Sequence, residues 1–166
     1  MDNGITTIIV TGAEPAMIEV DGLTITAIGE VIYRLSEDES YNGAIDLILQ
    51  DVTEIVDYEF NGADALNSIT LPKVTKLGHK ALHTTPFLRT ITFGSVITEV
   101  NEENGLVFHL VGNDVGGCDL ILNCEQMNSE YIPDFDTNTW TFRFEHEFKS
   151  ITLTHTGECD QCAATE

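Results

Sequence analysis

Residues 68–93 read SITLPKVTKLGHKALHTTPFLRTITF, opening on SITL and closing on TITF, as though the chain had returned to its starting point. Both tetrapeptides put apolar residues two apart, the alternation of a half-buried strand. The same beat occurs at Leu47/Leu49 (DLIL), Ile69/Leu71, Ile91/Phe93, Leu120/Leu122 (DLIL again) and Ile151/Leu153 (SITL again). Successive members are separated by 22, 22, 29 and 31 residues. The first two intervals have the length of repeat units that stack on one another.

The interior of the unit repeats as well. Val52, Ile55, Phe60 and Leu66 recur 22 residues later as Val74, Leu77, Leu82 and Leu88; Ile97 and Val100 follow after a slip of one residue. The register then dissolves across residues 101–117. Each unit reads as a strand, a second short β-branched stretch, and a compact helical or 3₁₀ piece around residues 80–85. No unit could bury its apolar face alone, so stacking is expected, with the ends covered by caps. Ile28, Val31, Ile32 and Leu35 have the i, i+3, i+4, i+7 spacing of an amphipathic helix, which predicts a helical N-terminal cap. Residues 140–148 (WTFRFEHEF) alternate like a half-buried strand set beside the last repeat.

The stretch VTEIVDYEFNGADALNSITLPKVTKLGHKALHTTPFLRTITF, within residues 46–100, resembles the BspA-type leucine-rich repeats of bacterial surface proteins. That pattern keeps Ile69, Leu71, Pro72, Val74, Leu77, Gly78 and Ala81 in this chain. It departs at Leu82 and Thr85, where the family has Phe and Cys. The preceding unit keeps Phe60 but has Val56 and Glu59 at the Gly and Ala positions. Residues 118–123 and 138–153 also resemble tail segments of short members from gut Bacteroidetes. The resemblance implies an α/β repeat fold: a short right-handed leucine-rich-repeat solenoid with a strand and a short helix or 3₁₀ turn per repeat. The expected organisation is an N-terminal strand and helical cap over residues 1–45, the repeat domain over 46–157, and a flexible tail over 158–166.

Charge narrows the function. The 166 residues carry 28 Asp and Glu against 7 Lys and Arg, a formal net charge of −21, which repels a phosphate backbone or an anionic membrane surface. Nucleic acid is therefore not an expected partner, and no apolar run suggests membrane insertion. The opening MDNGITTIIVTG has no export signal, so the chain either stays in the cytoplasm or has lost a leader. The resemblance implies the second, a cell-surface or extracellular location.

The same resemblance implies adhesion or binding of protein or glycan partners without catalysis and without a cofactor. The residues between the core positions of the strands would then matter most. They form the row Ile48, Thr70, Thr92, Ile121, Thr152, flanked by Asp46, Ser68, Thr90, Asp119 and Ser150. This row reads either as a shallow docking strip or as an ordinary solvated face, since it lacks the Tyr, Trp and Arg of binding hot spots. No Gly-rich phosphate loop, nucleophile elbow or H-E-x-x-H motif occurs.

A second reading is metal binding. Asp134, Asp136, Asn138 and Glu145 stand at positions 1, 3, 5 and 12 of an EF-hand-like calcium loop, although Thr139 replaces its turn glycine and the flanks read as strand. Residues 38–43 (DESYNG) read as a turn before the first repeat strand. Cys159 and Cys162 form C-x-x-C with His155 nearby, compatible with zinc, a redox pair or a frayed tail. His79 and His83 are four apart and would share a helical face. Cys118 and Cys124 bracket one strand, about 20 Å apart if extended, too far to pair.

Overall fold

The computed structural model describes residues 4–11, 18–20, 23–25, 43–101, 106–140 and 146–154. In chain order the strands are β1 (Ile5–Val10), β2 (Ile18–Val20), β3 (Leu23–Ile25), β4 (Ala44–Leu49), β5 (Glu54–Ile55) and β6 (Leu66–Leu71). They continue as β7 (Lys76–Leu77), β8 (Thr90–Phe93), β9 (Glu99–Val100), β10 (Asp119–Asn123) and β11 (Ser150–Thr154).

Six of these form one sheet in the order β1-β4-β6-β8-β10-β11, every neighbouring pair parallel. A smaller parallel sheet runs β5-β7-β9, and β2-β3 is a separate antiparallel pair. The 22-residue interval is visible as register: Leu47 pairs with Ile69 and Ile69 with Ile91 in the large sheet, while Ile55 pairs with Leu77 in the small one. Alternation makes burial alternate too, so Ile45, Leu47 and Leu49 of β4 are buried and their neighbours are half-buried. Stacking turns these positions into continuous apolar ladders. Leu47, Ile69, Ile91 and Leu120 are wholly buried in one, and each such side chain contributes about 1.5–3 kcal/mol by leaving water. Behind them Phe60, Leu66, Val74, Ala81, Leu82, Leu88 and Ile97 complete a single core.

The expected α/β leucine-rich-repeat solenoid is not the architecture observed. The described residues contain no α-helix; the domain is built of mostly parallel strands, with short 3₁₀ turns at Asn113–Val115 and Cys124–Asn128. At residues 80–85 the backbone has positive φ at Lys80 (52°) and Thr84 (54°), which breaks any helix. Single-turn bonds such as His83 N to Lys80 O are joined there by bonds between repeats: Phe60 N donates to Ala81 O, Leu82 N to Val107 O and Thr84 N to His109 O. β-Branched Thr84 and Thr85, followed by Pro86, disfavour a helix locally. These turns repeat as faithfully as the strands, since Tyr58 and Lys80, and Gly62 and Thr84, are positive-φ pairs one unit apart.

The helical cap is corrected in the same way. Among the described residues it is strand β1 that lies against β4 and covers that end of the sheet. The helix expected at Ile28, Val31, Ile32 and Leu35 falls outside the described residues, as do residues 38–42. Of the strand expected over 140–148, the described residues 140 and 146–148 are not a rung of the large sheet. Thr139 makes isolated antiparallel bridges to Asp134 and Glu147, while β11 completes the sheet and residues 141–145 lie outside the description. This C-terminal segment packs Trp140 almost parallel to Phe108 (5.7 Å between ring centroids) and edge-on to Phe93 (6.1 Å).

Two residues before β9, a side chain satisfies the buried backbone of Ile97. The Gln126 carboxamide accepts from Ile97 N at 2.7 Å and donates to Ile97 O at 3.1 Å. Buried backbone polar groups demand such partners, and a buried amide offers the same donor–acceptor pair as a peptide group.

Candidate binding face and neighbouring groups

Strand alternation points every second residue of the large sheet away from the core, and parallel register lines these residues up. Ile48 pairs with Thr70, Thr70 with Thr92, Thr92 with Ile121 and Ile121 with Thr152, so the five residues expected to form the strip stand in one row. The sequence reading missed that β1 extends it: Ile9 pairs with Ile48 and remains 58% exposed. The alternation in ITTIIV was the available signal. A second row runs Thr7, Asp46, Ser68, Thr90, Asp119, Ser150. Neighbouring strands are about 4.8 Å apart, so the face is a regular lattice of hydroxyl, carboxylate and β-branched methyl groups.

Its carboxylates are already oriented by the strands beside them. Asp46 Oδ1 accepts from Asn67 Nδ2 at 2.8 Å and from Ser68 Oγ at 2.7 Å, and Asp119 Oδ1 accepts from Ser150 Oγ at 2.7 Å. These bonds fix side chains that would otherwise lose rotamer freedom on contact with a partner.

A groove of about 510 Å³ lies on the opposite, smaller sheet, lined by Glu54, Val56, Asp57, Lys76, Gly78, Glu99 and Asn101 among others. Lys76 Nζ is 2.9 Å from Glu99, which raises the lysine pKa. Asp57 Oδ1 accepts from His79 N at 2.6 Å and from Asn101 Nδ2 at 3.3 Å.

The histidines are held by different neighbours and not on a shared helical face. His79 is buried with its ring edge-on to Tyr58, whereas His83 Nδ1 meets Asn61 Oδ1 at 2.9 Å and its ring lies 5.1 Å from that of His109. Burial, then the positive partners His109, Lys80 and His79, lowers the His83 pKa. His146 packs against Phe148 and Phe108, has no partner for its buried Nε2, and is pushed down to about 4 by burial and by His109.

In the candidate calcium loop, Asp134 Oδ1 accepts from Asp136 N (2.9 Å) and Thr137 N (3.3 Å), and these bonds lower its pKa. Asn138 takes the positive φ (54°) that closes the turn. The loop is thus a tight hairpin whose first carboxylate serves the turn. Glu145 lies outside the described residues, as do His155, Cys159 and Cys162. Among the described residues no group of three or more His, Cys, Asp or Glu side chains is placed to hold a metal ion. Cys118 and Cys124 are buried, and burial pushes the Cys118 thiol up to about 12, which keeps it protonated and unreactive.

Among the described residues no helix is long and apolar enough to cross a membrane. No family model, no curated protein and no solved structure matches the chain. None of these comparisons identifies a BspA-type leucine-rich repeat.

Proposed function

We propose that this chain is a non-catalytic binding or adhesion module of a cell-surface or secreted protein, meeting protein or glycan partners through the face of its large sheet. The reading is supported chiefly by one observation: Ile9, Ile48, Thr70, Thr92, Ile121 and Thr152 stand in a single row across six parallel strands. A preformed row presents many small contacts at no cost in backbone ordering. The lack of aromatic or arginine anchors makes each contact weak, so useful affinity comes from many copies acting together.

The experiment compares monomeric protein with the same protein clustered on beads, across arrays of glycans and extracellular matrix proteins. Strong capture by the clustered form and little by the monomer supports the reading. Silence of both across the arrays replaces it with a ligand-free structural spacer.

A further inference from the structure

We propose that the two outer strands of the large sheet pair with each other between copies of the chain: β11 of one copy takes β1 of the next, in parallel, extending the sheet head to tail. No described residue pairs with the outer edge of either strand. The carbonyls of Gly4 and Val10 accept from Ala44 and Gln50, so the even-numbered residues of β1 turn their backbone groups toward β4. Ile5, Thr7 and Ile9 consequently turn theirs to the open side.

Neither strand carries in its own sequence the residues that discourage pairing. β1 reads ITTIIV and β11 reads SITLT, without a charge, a proline or a bulge, in a chain with 28 acidic residues. Ile5 and Ile9 are 60% and 58% exposed. The occupant is a second copy because, among the described residues, the ladders end at β1 and β11 and those two ends match. Followed strand by strand, the register places Ile8 in line with Leu47, Ile69, Ile91, Leu120 and Ile151, and Ile9 in line with Thr152. A copy added beside β11 in that register sets its Ile8 against Ile151 and its Val10 against Leu153, and covers two core residues that β11 leaves partly exposed. Pairing β1 with β1 would leave them open. A head-to-tail contact of this kind is heterologous and, where its rotation does not close a ring, gives chains of copies. The charge of −21 per copy opposes assembly, so salt must screen it.

Sedimentation velocity of the full chain in 20 mM and 500 mM NaCl tests the proposal. The expected result is a monomer at low salt and species that lengthen with protein concentration at high salt. Thr7→Pro removes an outward N–H of β1 without touching a β4 rung, and should hold the protein monomeric in 500 mM NaCl with an unchanged circular dichroism spectrum. Orientation is read by oxidative cross-linking in a Cys159→Ser/Cys162→Ser background: an equimolar mixture of Ile9→Cys and Thr152→Cys copies should give a mixed disulfide dimer, and neither copy alone should. A parent that stays monomeric at every salt concentration overturns the proposal. So does association of Thr7→Pro equal to the parent's, or cross-linking of Ile9→Cys alone as readily as the mixture.

Discussion

Gly78 sits where two stretches of backbone nearly touch: a Cβ added there would lie 2.4 Å from Asp57 N and 2.5 Å from Val56 C. Those atoms belong to main chain fixed by Gly78 N donating to Ile55 O at 2.7 Å and by Tyr58 N donating to His79 O at 2.9 Å, so neither side can yield. Gly78→Ala should cost on the order of 2–3 kcal/mol in urea unfolding, as overpacking against rigid neighbours does. His146 makes a second prediction at this scale. Its folded pKa lies below the unfolded value, so the unfolded chain binds a proton that the folded chain refuses. The stabilising effect of a neutral His146 is complete above about pH 6.5 and is lost as pH falls toward about 4. Partial exposure reduces the size of this loss to on the order of 2 kcal/mol. His146→Phe should make stability less dependent on pH between 6.5 and 4 than in the parent, measured by urea melts at each pH. An unchanged slope would show that His146 is solvated.

At the scale of elements, the pairing of Ile69 with Ile91 and of Ile55 with Leu77 was legible because a period of 22 residues and a period of two are both carried by side-chain polarity. The turns were not, because the Lys80 and Thr84 conformations depend on hydrogen bonds from neighbouring repeats, to which residues 80–85 are blind in isolation. The Gln126 bonds to the Ile97 backbone were equally hidden, since a glutamine 29 residues from Ile97 carries no periodic signal. The outward row was read correctly in membership but without Ile9, because β1 is separated from β4 by more than one repeat length. Inward and outward assignment is tested by paired substitutions in β6. Leu71→Asp puts an unpaired carboxylate among wholly buried side chains, at a cost of several kcal/mol, and should leave the chain unfolded in circular dichroism. Thr70→Asp, one residue away on the half-buried outer face, should melt within a few degrees of the parent. Equal damage from the two would mean that the strand is not seated as described.

For the whole molecule, a rigid parallel sheet and a strongly acidic surface have separate consequences. The sheet fixes a regular face, while the −21 charge sets up a repulsion, between copies and toward anions, that falls as salt is added. The two faces of the molecule are chemically distinct, hydroxyl-rich on the large sheet and carboxylate-lined in the groove of the small one. That difference allows the proposed contact surface to be located. The deciding measurement is capture of bead-clustered protein by its array ligand for the parent, for Thr70→Arg/Thr92→Arg on the large sheet, and for Glu54→Arg beside the groove, each with its melting temperature matched to the parent. Loss of capture in the double variant, with Glu54→Arg retaining it, is the predicted result. Capture retained by Thr70→Arg/Thr92→Arg and lost in Glu54→Arg would contradict the assignment of the large sheet as the binding face.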